Sequence, residues 1–310
     1  AFIAVVTSCV ALGVSAASSQ TREDFTATIG PDVIVGDLPD LYHWGSGSGG
    51  TIHAYSVGTT ACNSGDVPLS WHGSDNQHPV IGQNLFRLSG GRFEQIGQSW
   101  LKWAFLSTND NFCGTCITPP GGGTQLGIHC SDTYGASLNG SHGSLGPKSV
   151  VNPFTGSFPQ NHQTPGSGTI SGRLQVHTSD LDPNLNVGAL YFVEGQYISP
   201  DDAAAGNLYN NASYRQIWIT ANYGITFNNP QGGTSATVRS HAALDVWKAV
   251  DPNVGSSELD VPGDGRIVVA CKATPGATSG WHYELAVYNM NSDRAVGGGT
   301  VRLPASATAL

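Results

Sequence analysis

Asp180, Asp182, Asn184 and Asn186 set four oxygen-bearing side chains at alternate positions of one short segment. Hard oxygen donors in a tight loop are what calcium requires, and this is the strongest local metal signal in the chain. The segment lacks the central glycine and terminal glutamate of the helix-loop-helix calcium motif. Pro183 supports a second reading, in which the same side chains close turns by bonding to nearby backbone. A second acidic turn at 260–265 gives the same signal more weakly.

Carboxylate pairs are the other chemistry on offer. Glu94, Glu194 and Glu284 each stand within an aromatic or apolar strand pattern. Two of them facing each other across a groove would serve as general acid and as nucleophile or base on a glycan, with burial raising the pKa of the acid. The same alternation places them opposite Phe93, Val193 and Tyr283, on a solvent face, and the sequence leaves both readings open. His43, His53, His72, His78, His177 and His282 lie on or near strands, and two or three converging with Asp75 or Asp37 would form a metal or acid-base centre. There is no His-Glu-x-x-His signature and no Gly-x-Ser-x-Gly elbow. Trp44 and Trp71 are the leading candidates to stack on sugar rings, with Trp103, Trp218 and Trp281 behind them.

The cysteines speak to compartment and to loops. Cys113, Cys116 and Cys130 cluster beside His129, and Cys62 and Cys271 stand apart. Thiolates and imidazole at such spacing can close a zinc tetrahedron, but an exported chain favours disulfides. Disulfides are therefore expected among Cys62, Cys113, Cys116, Cys130 and Cys271, with the pairing open and one cysteine left over; zinc is the lesser alternative.

Export itself is read from residues 1–16, an apolar run ending in Val14 and Ala16, which fit a signal peptidase site before Ala17. The run is too short for a membrane span. It lacks a start methionine and a basic flank, so the sequence reads as beginning inside its own leader. A packing strand of an assembled filament is the rival reading of the same residues. The chain carries 13 Lys plus Arg against 22 Asp plus Glu, a formal charge of -9, so no basic stripe exists to neutralise phosphates and nucleic acid is excluded as a partner. With only 11% charged residues, 41 glycines and a surface of hydroxyls and amides, the composition suits an extracellular β scaffold.

The elements that must position these groups are short strands. Residues 32–35, 51–57, 79–88 and 92–96 read as strands, the last two as a hairpin turned at Gly90 and Gly91. Residues 98–106 read as a short helix, because Trp100, Trp103 and Leu106 share a helical face. Residues 173–177, 188–198, 214–220, 266–271 and 281–288 are strands. Two helices are expected at 199–205, capped by Ser199 and stopped at Gly206, and at 237–249. The organisation is a partial signal peptide at 1–16, an N-terminal β region at 17–106, a Gly/Pro-rich cysteine-containing loop region at 107–170, and a C-terminal β region at 171–310 that reads as unfinished. The expected fold is mainly β, antiparallel and sandwich-like, with two or three short helices and two packed sub-domains as one arrangement.

Five segments carry a resemblance: Gly30-Pro-Asp-Val-Ile-Val-Gly-Asp37, residues 76–84, residues 91–102, Leu181-Asp-Pro-Asn-Leu-Asn186 and residues 188–197. Together they resemble an uncharacterised family of secreted proteins from planctomycete-like and other aquatic bacteria, over nearly the whole chain from Gly30. The resemblance implies export and a longer chain than this one, and it brings no activity with it. Family members often have histidine where this sequence has Trp103, which weakens a metal or catalytic role there. The expected function is a secreted scaffold or surface protein that self-assembles. A carbohydrate-binding protein and a secreted glycan hydrolase with paired glutamates are the alternatives, so the expected partner is a second copy or an extracellular glycan.

Overall fold

A computed structural model describes residues 28–73, 75–103, 105–141, 146–159, 166–276 and 280–300. The expected leader at 1–16 and the end of the C-terminal β region lie outside the described residues. The chain is mainly antiparallel β, with 43% strand against 12% helix, as the alternating patterns predict.

Ten strands form the principal sheet. Its order is Ile225–Thr226, Ala212–Ile219, Leu190–Ile198, Val80–Ser89, Arg92–Gln98, Leu174–His177, Ile52–Val57 and Leu41–Ser46, with Thr237–Val238 beside Ala212–Ile219 and Lys102–Trp103 beside Val80–Ser89. The sheet curls until its ends approach, and the Tyr55 hydroxyl donates to the Tyr223 carbonyl at 2.5 Å. The expected hairpin is present, Ser89 facing Arg92 across a turn that needs positive φ at both Gly90 (59°) and Gly91 (81°).

Each face of this sheet is covered by a three-stranded sheet. One is built from Val33–Asp37, Thr59–Asn63 and Ser131–Tyr134, the other from Gly255–Val261, Gly265–Pro275 and Trp281–Asn289. Alternation along the two central strands divides the core. Ile81, Leu85, Tyr191, Val193 and Tyr197 point to the first covering sheet and pack with Val33, Val35 and Trp71. Phe86, Leu88 and Phe192 point to the second and pack with Phe93, Trp247, Val268 and Ala270. Each such apolar side chain contributes roughly 1.5–3 kcal/mol by leaving water.

Two expected helices are corrected. None of the described residues of 98–106 is helical: Lys102–Trp103 pairs with Ile81 and Val80, because Arg92–Gln98 covers the central strand only from Asn84 onward and leaves that edge open. Ladder bonds outweigh the 3.6-residue spacing of the tryptophans. The helix expected at 237–249 is confined to Asp245–Val250; Thr237–Val238 joins the ladder on Arg215 and Tyr214, and Ser240 turns the chain with φ 57°. The helix Pro200–Ala205 is present, with proline in its first turn and Gly206 at φ 84° ending it, but the Ser199 side chain makes no capping bond. Within the cysteine-rich region Cys62 is joined to Cys113 and Cys116 to Cys130. Cys271 is bonded too, so no cysteine among the described residues is the spare thiol expected.

Candidate functional site

Glu194 and Asn84 sit directly opposite each other on the neighbouring strands Leu190–Ile198 and Val80–Ser89. Alternation turns Glu194 away from Val193, as the sequence requires, yet that face is covered by the second three-stranded sheet and not by water. Glu194 is fully buried. Its Oε1 accepts from Asn84 Nδ2 at 2.8 Å and from the Tyr288 hydroxyl at 3.0 Å, and its Oε2 accepts from the Ala243 amide at 2.7 Å. Burial pushes the Glu194 carboxyl above its ordinary value, against the pull of these three donors and of Lys148.

Asn84 is held from its other side as well. Its Oδ1 accepts from Lys148 Nζ at 2.7 Å and from Gln95 Nε2 at 2.9 Å. Lys148 belongs to the short 3₁₀ turn Lys148–Val150 and reaches inward while its stem stays half-buried. Desolvation holds its amine below the usual lysine value, with Glu194 opposing that shift. Lys148, Asn84, Phe86, Phe93, Gln95 and Tyr288 line part of a cleft of about 430 Å³ between the principal sheet and the second covering sheet. Rings, amides and one amine around an open volume of this size suit a polar ligand with apolar faces. Lys148 and Asn84 were not singled out from sequence, because neither belongs to a motif and only the sheet pairing brings them together.

The other glutamates are engaged near the surface. Glu94 takes Arg87 at 2.7 Å and Arg92 at 3.1 Å, and Arg92 also reaches Glu284 at 3.7 Å, while His282 lies 2.7 Å from Glu284. The fold thus brings Glu94 and Glu284 to either side of one guanidinium, and directs Glu194 to the buried Asn84.

The oxygen quartet is also occupied by protein groups. Arg87 Nη1 donates to Asp180 Oδ1 at 3.1 Å and to Asn186 Oδ1 at 2.5 Å, and Asp182 Oδ1 accepts from the Asn184 amide at 2.8 Å. The guanidinium therefore places positive charge on two of the four side chains expected to take calcium, and Thr178–Leu181 forms a helical turn at the start of the segment. Among the described residues no group of three or more His, Cys, Asp or Glu is arranged to hold a metal ion. With Cys113, Cys116 and Cys130 in disulfides, no thiolate of that cluster remains for zinc.

Of the histidines, His43 and His53 meet at 2.7 Å and lie against Tyr55 and Tyr223. Burial lowers the pKa of His43, aided by His53. His72 pairs with Asp75 at 3.2 Å, His177 caps the turn at Ser179, and His78 is buried against Phe158. Asp37 instead accepts from the Thr237 hydroxyl. Trp71 is fully buried with its Nε1 donating to Asp132, and Arg173 lies 3.8 Å over one face of the half-buried Trp44 ring. Trp103 is buried against Phe158 and Trp218 is half-buried, whereas Trp281 is exposed.

Compared with known proteins, the chain matches no family model and no curated protein.

Proposed function

We propose that the protein is a secreted extracellular or cell-surface scaffold that associates with copies of itself through the strand Trp281–Asn289. One observation carries the reading. Trp281, Tyr283, Leu285 and Val287 are 61%, 41%, 47% and 53% exposed, a row of large apolar side chains on the outer face of one strand. That strand pairs only with Gly265–Pro275 among the described residues, leaving its other edge unpaired by any described strand. The residues 281–289 contain no lysine, arginine or proline, the usual guards of a free edge. Antiparallel self-pairing centred on Leu285 would set Tyr283 against Val287 and Glu284 against Ala286, so no like charges would oppose and the apolar row would run on into the copy. The disulfides support an oxidising compartment, and no helix among the described residues is long and apolar enough to cross a membrane. Hydrogen exchange tests the reading: amides of 281–289 should gain protection as protein concentration rises, and concentration-independent exchange there would count against it.

A second reading, glycan binding, draws on the cleft between the sheets, where Gln95, Gln98 and Gln196 stand beside Phe93 and Tyr288. Amides read sugar hydroxyls and rings cover the apolar faces of sugars. The Arg92 pairing of Glu94 and Glu284 favours binding over hydrolysis, since both carboxylates are already engaged by a cation.

A further inference from the structure

Lys148, Asn84 and Glu194 form a line of three groups, amine to amide to carboxyl, with contacts of 2.7 and 2.8 Å. We propose that Lys148 and Asn84 become covalently joined by an intramolecular isopeptide bond between Lys148 Nζ and Asn84 Cγ, with Glu194 carrying the protons. This is independent of the self-association reading.

The geometry supplies what an amide exchange needs. Lys148 Nζ contacts Asn84 Oδ1, and the carbon to be attacked is the atom bonded to that oxygen, about 1.2 Å further on. Asn84 Nδ2, the nitrogen that must leave, is held against Glu194 Oε1. Gln95 Nε2 donates to Asn84 Oδ1 and is placed to stabilise the charge that grows there during attack. Both strands are rigid and paired at this point, and the amide cannot rotate away without losing Lys148, Gln95 and Glu194 together. Holding the amine on the oxygen bonded to the carbon it attacks lowers the entropic barrier to an otherwise slow reaction.

The step balances without any further reagent. Burial holds the Lys148 amine below and the Glu194 carboxyl above their ordinary values, against their mutual attraction, and the reactive pair of the proposal is the neutral amine with the protonated carboxyl. The Nζ lone pair forms the new bond to Cγ as the carbonyl π pair moves onto Oδ1. Glu194 passes its proton to Nδ2, the carbonyl reforms, and the Cγ–Nδ2 bond breaks to release ammonia. The proton lost from Nζ returns to Glu194, which ends as it began. An amine and a primary amide become a secondary amide and ammonia, and nothing is oxidised or reduced.

The alternative use of the same groups is to read a ligand, and the bonding weighs against it. All the polar atoms of the Asn84 side chain are turned to Lys148, Gln95 and Glu194. Lys148 sits in a stretch with little regular structure, between Gly146 and Phe158, that is held to the sheet by Leu101 pairing with Gly146 and by a small apolar cluster of Val80, Trp103, Val151 and Phe158. A bond to Asn84 would anchor this stretch to the central strand, as the disulfides anchor the stretch before it.

Tryptic mapping of the purified full chain tests the proposal. The expected result is one peptide pair joined through Lys148 and Asn84, lighter than the sum of its parts by one ammonia, about 17 Da, with no cleavage after Lys148. The Lys148→Arg chain, altered at a half-buried position, should lose the joined pair and regain that mass beyond the substitution itself, and Glu194→Gln should leave Lys148 unjoined. A native chain with Lys148 cleaved normally and Asn84 in a linear peptide of full mass would overturn the proposal. So would a loss of ammonia that persists in Lys148→Arg or maps to another residue.

Discussion

Asp202, on the helix Pro200–Ala205, is held against Asp32, the residue that leads into the strand Val33–Asp37, and both are fully buried. Asp202 accepts from the Val33 amide at 3.0 Å and from Asn211 Nδ2 at 2.8 Å. Burial is the largest influence on its carboxyl, and with Asp32 alongside it outweighs those bonds and pushes the pKa up to about 7. A carboxyl raised in the folded state contributes stability that is complete below its unfolded value and is lost as pH rises through its folded value.

Thermal stability should therefore fall as pH is raised from about 4 to about 8, by a few kcal/mol at most from this group. Asp202→Asn should flatten that part of the profile, and it should cost least above neutral pH. A melting-temperature series in both chains checks this, and an unchanged slope in the variant would refute the assignment.

Lys102 is the opposite case. Its amine is buried without a hydrogen-bond acceptor, lies over the Tyr134 ring and is held well below the ordinary lysine value by desolvation. Lys102→Met keeps most of the length of the side chain, one atom short, and removes the group that burial penalises. The variant should be more stable by about 1–3 kcal/mol in urea denaturation; a loss of similar size would mean that Asp132 depends on this charge.

Reduction should act locally before it acts globally. Cys62–Cys113 ties the cysteine-rich region to the strand Thr59–Asn63, and Cys116–Cys130 closes a separation of 14 residues inside it. Replacing either pair by alanine should cost about 2–4 kcal/mol. Limited proteolysis should then cut first within 107–130, and first cleavage in the principal sheet would contradict the order.

These residues also mark how far the sequence could be read. Strands, the Gly90–Gly91 hairpin and the helix from Pro200 to its stop at Gly206 were legible, because alternation, turn residues and helix stops are local signals. The stapling of Cys113, Cys116 and Cys130 followed from spacing and compartment. The environment of Glu194 did not. Alternation fixes which way a side chain points, but whether water or a second sheet lies there depends on residues some 90 positions away, such as Tyr288. The 98–106 stretch misled for a related reason: its helical spacing is real, and an open ladder edge at Val80 and Ile81 claimed it. Arg87 is a third example, since no local pattern announces that it will lie across Asp180 and Asn186.

For the glycan reading, Gln95→Ala should weaken retention on polysaccharide without unfolding the chain, because Gln95 lines the cleft and is exposed. Equal retention of native and altered protein in a polysaccharide pull-down would remove the cleft from consideration.

The central claim is self-association through the strand Trp281–Asn289, and light scattering coupled to size exclusion over a wide concentration range tests it most directly. The native chain should move to a dimer or larger species as concentration rises, and a chain carrying Leu285→Lys and Val287→Lys should stay monomeric with its fold intact. A native chain that stays monomeric across the whole range, or association that survives both substitutions, would contradict the account.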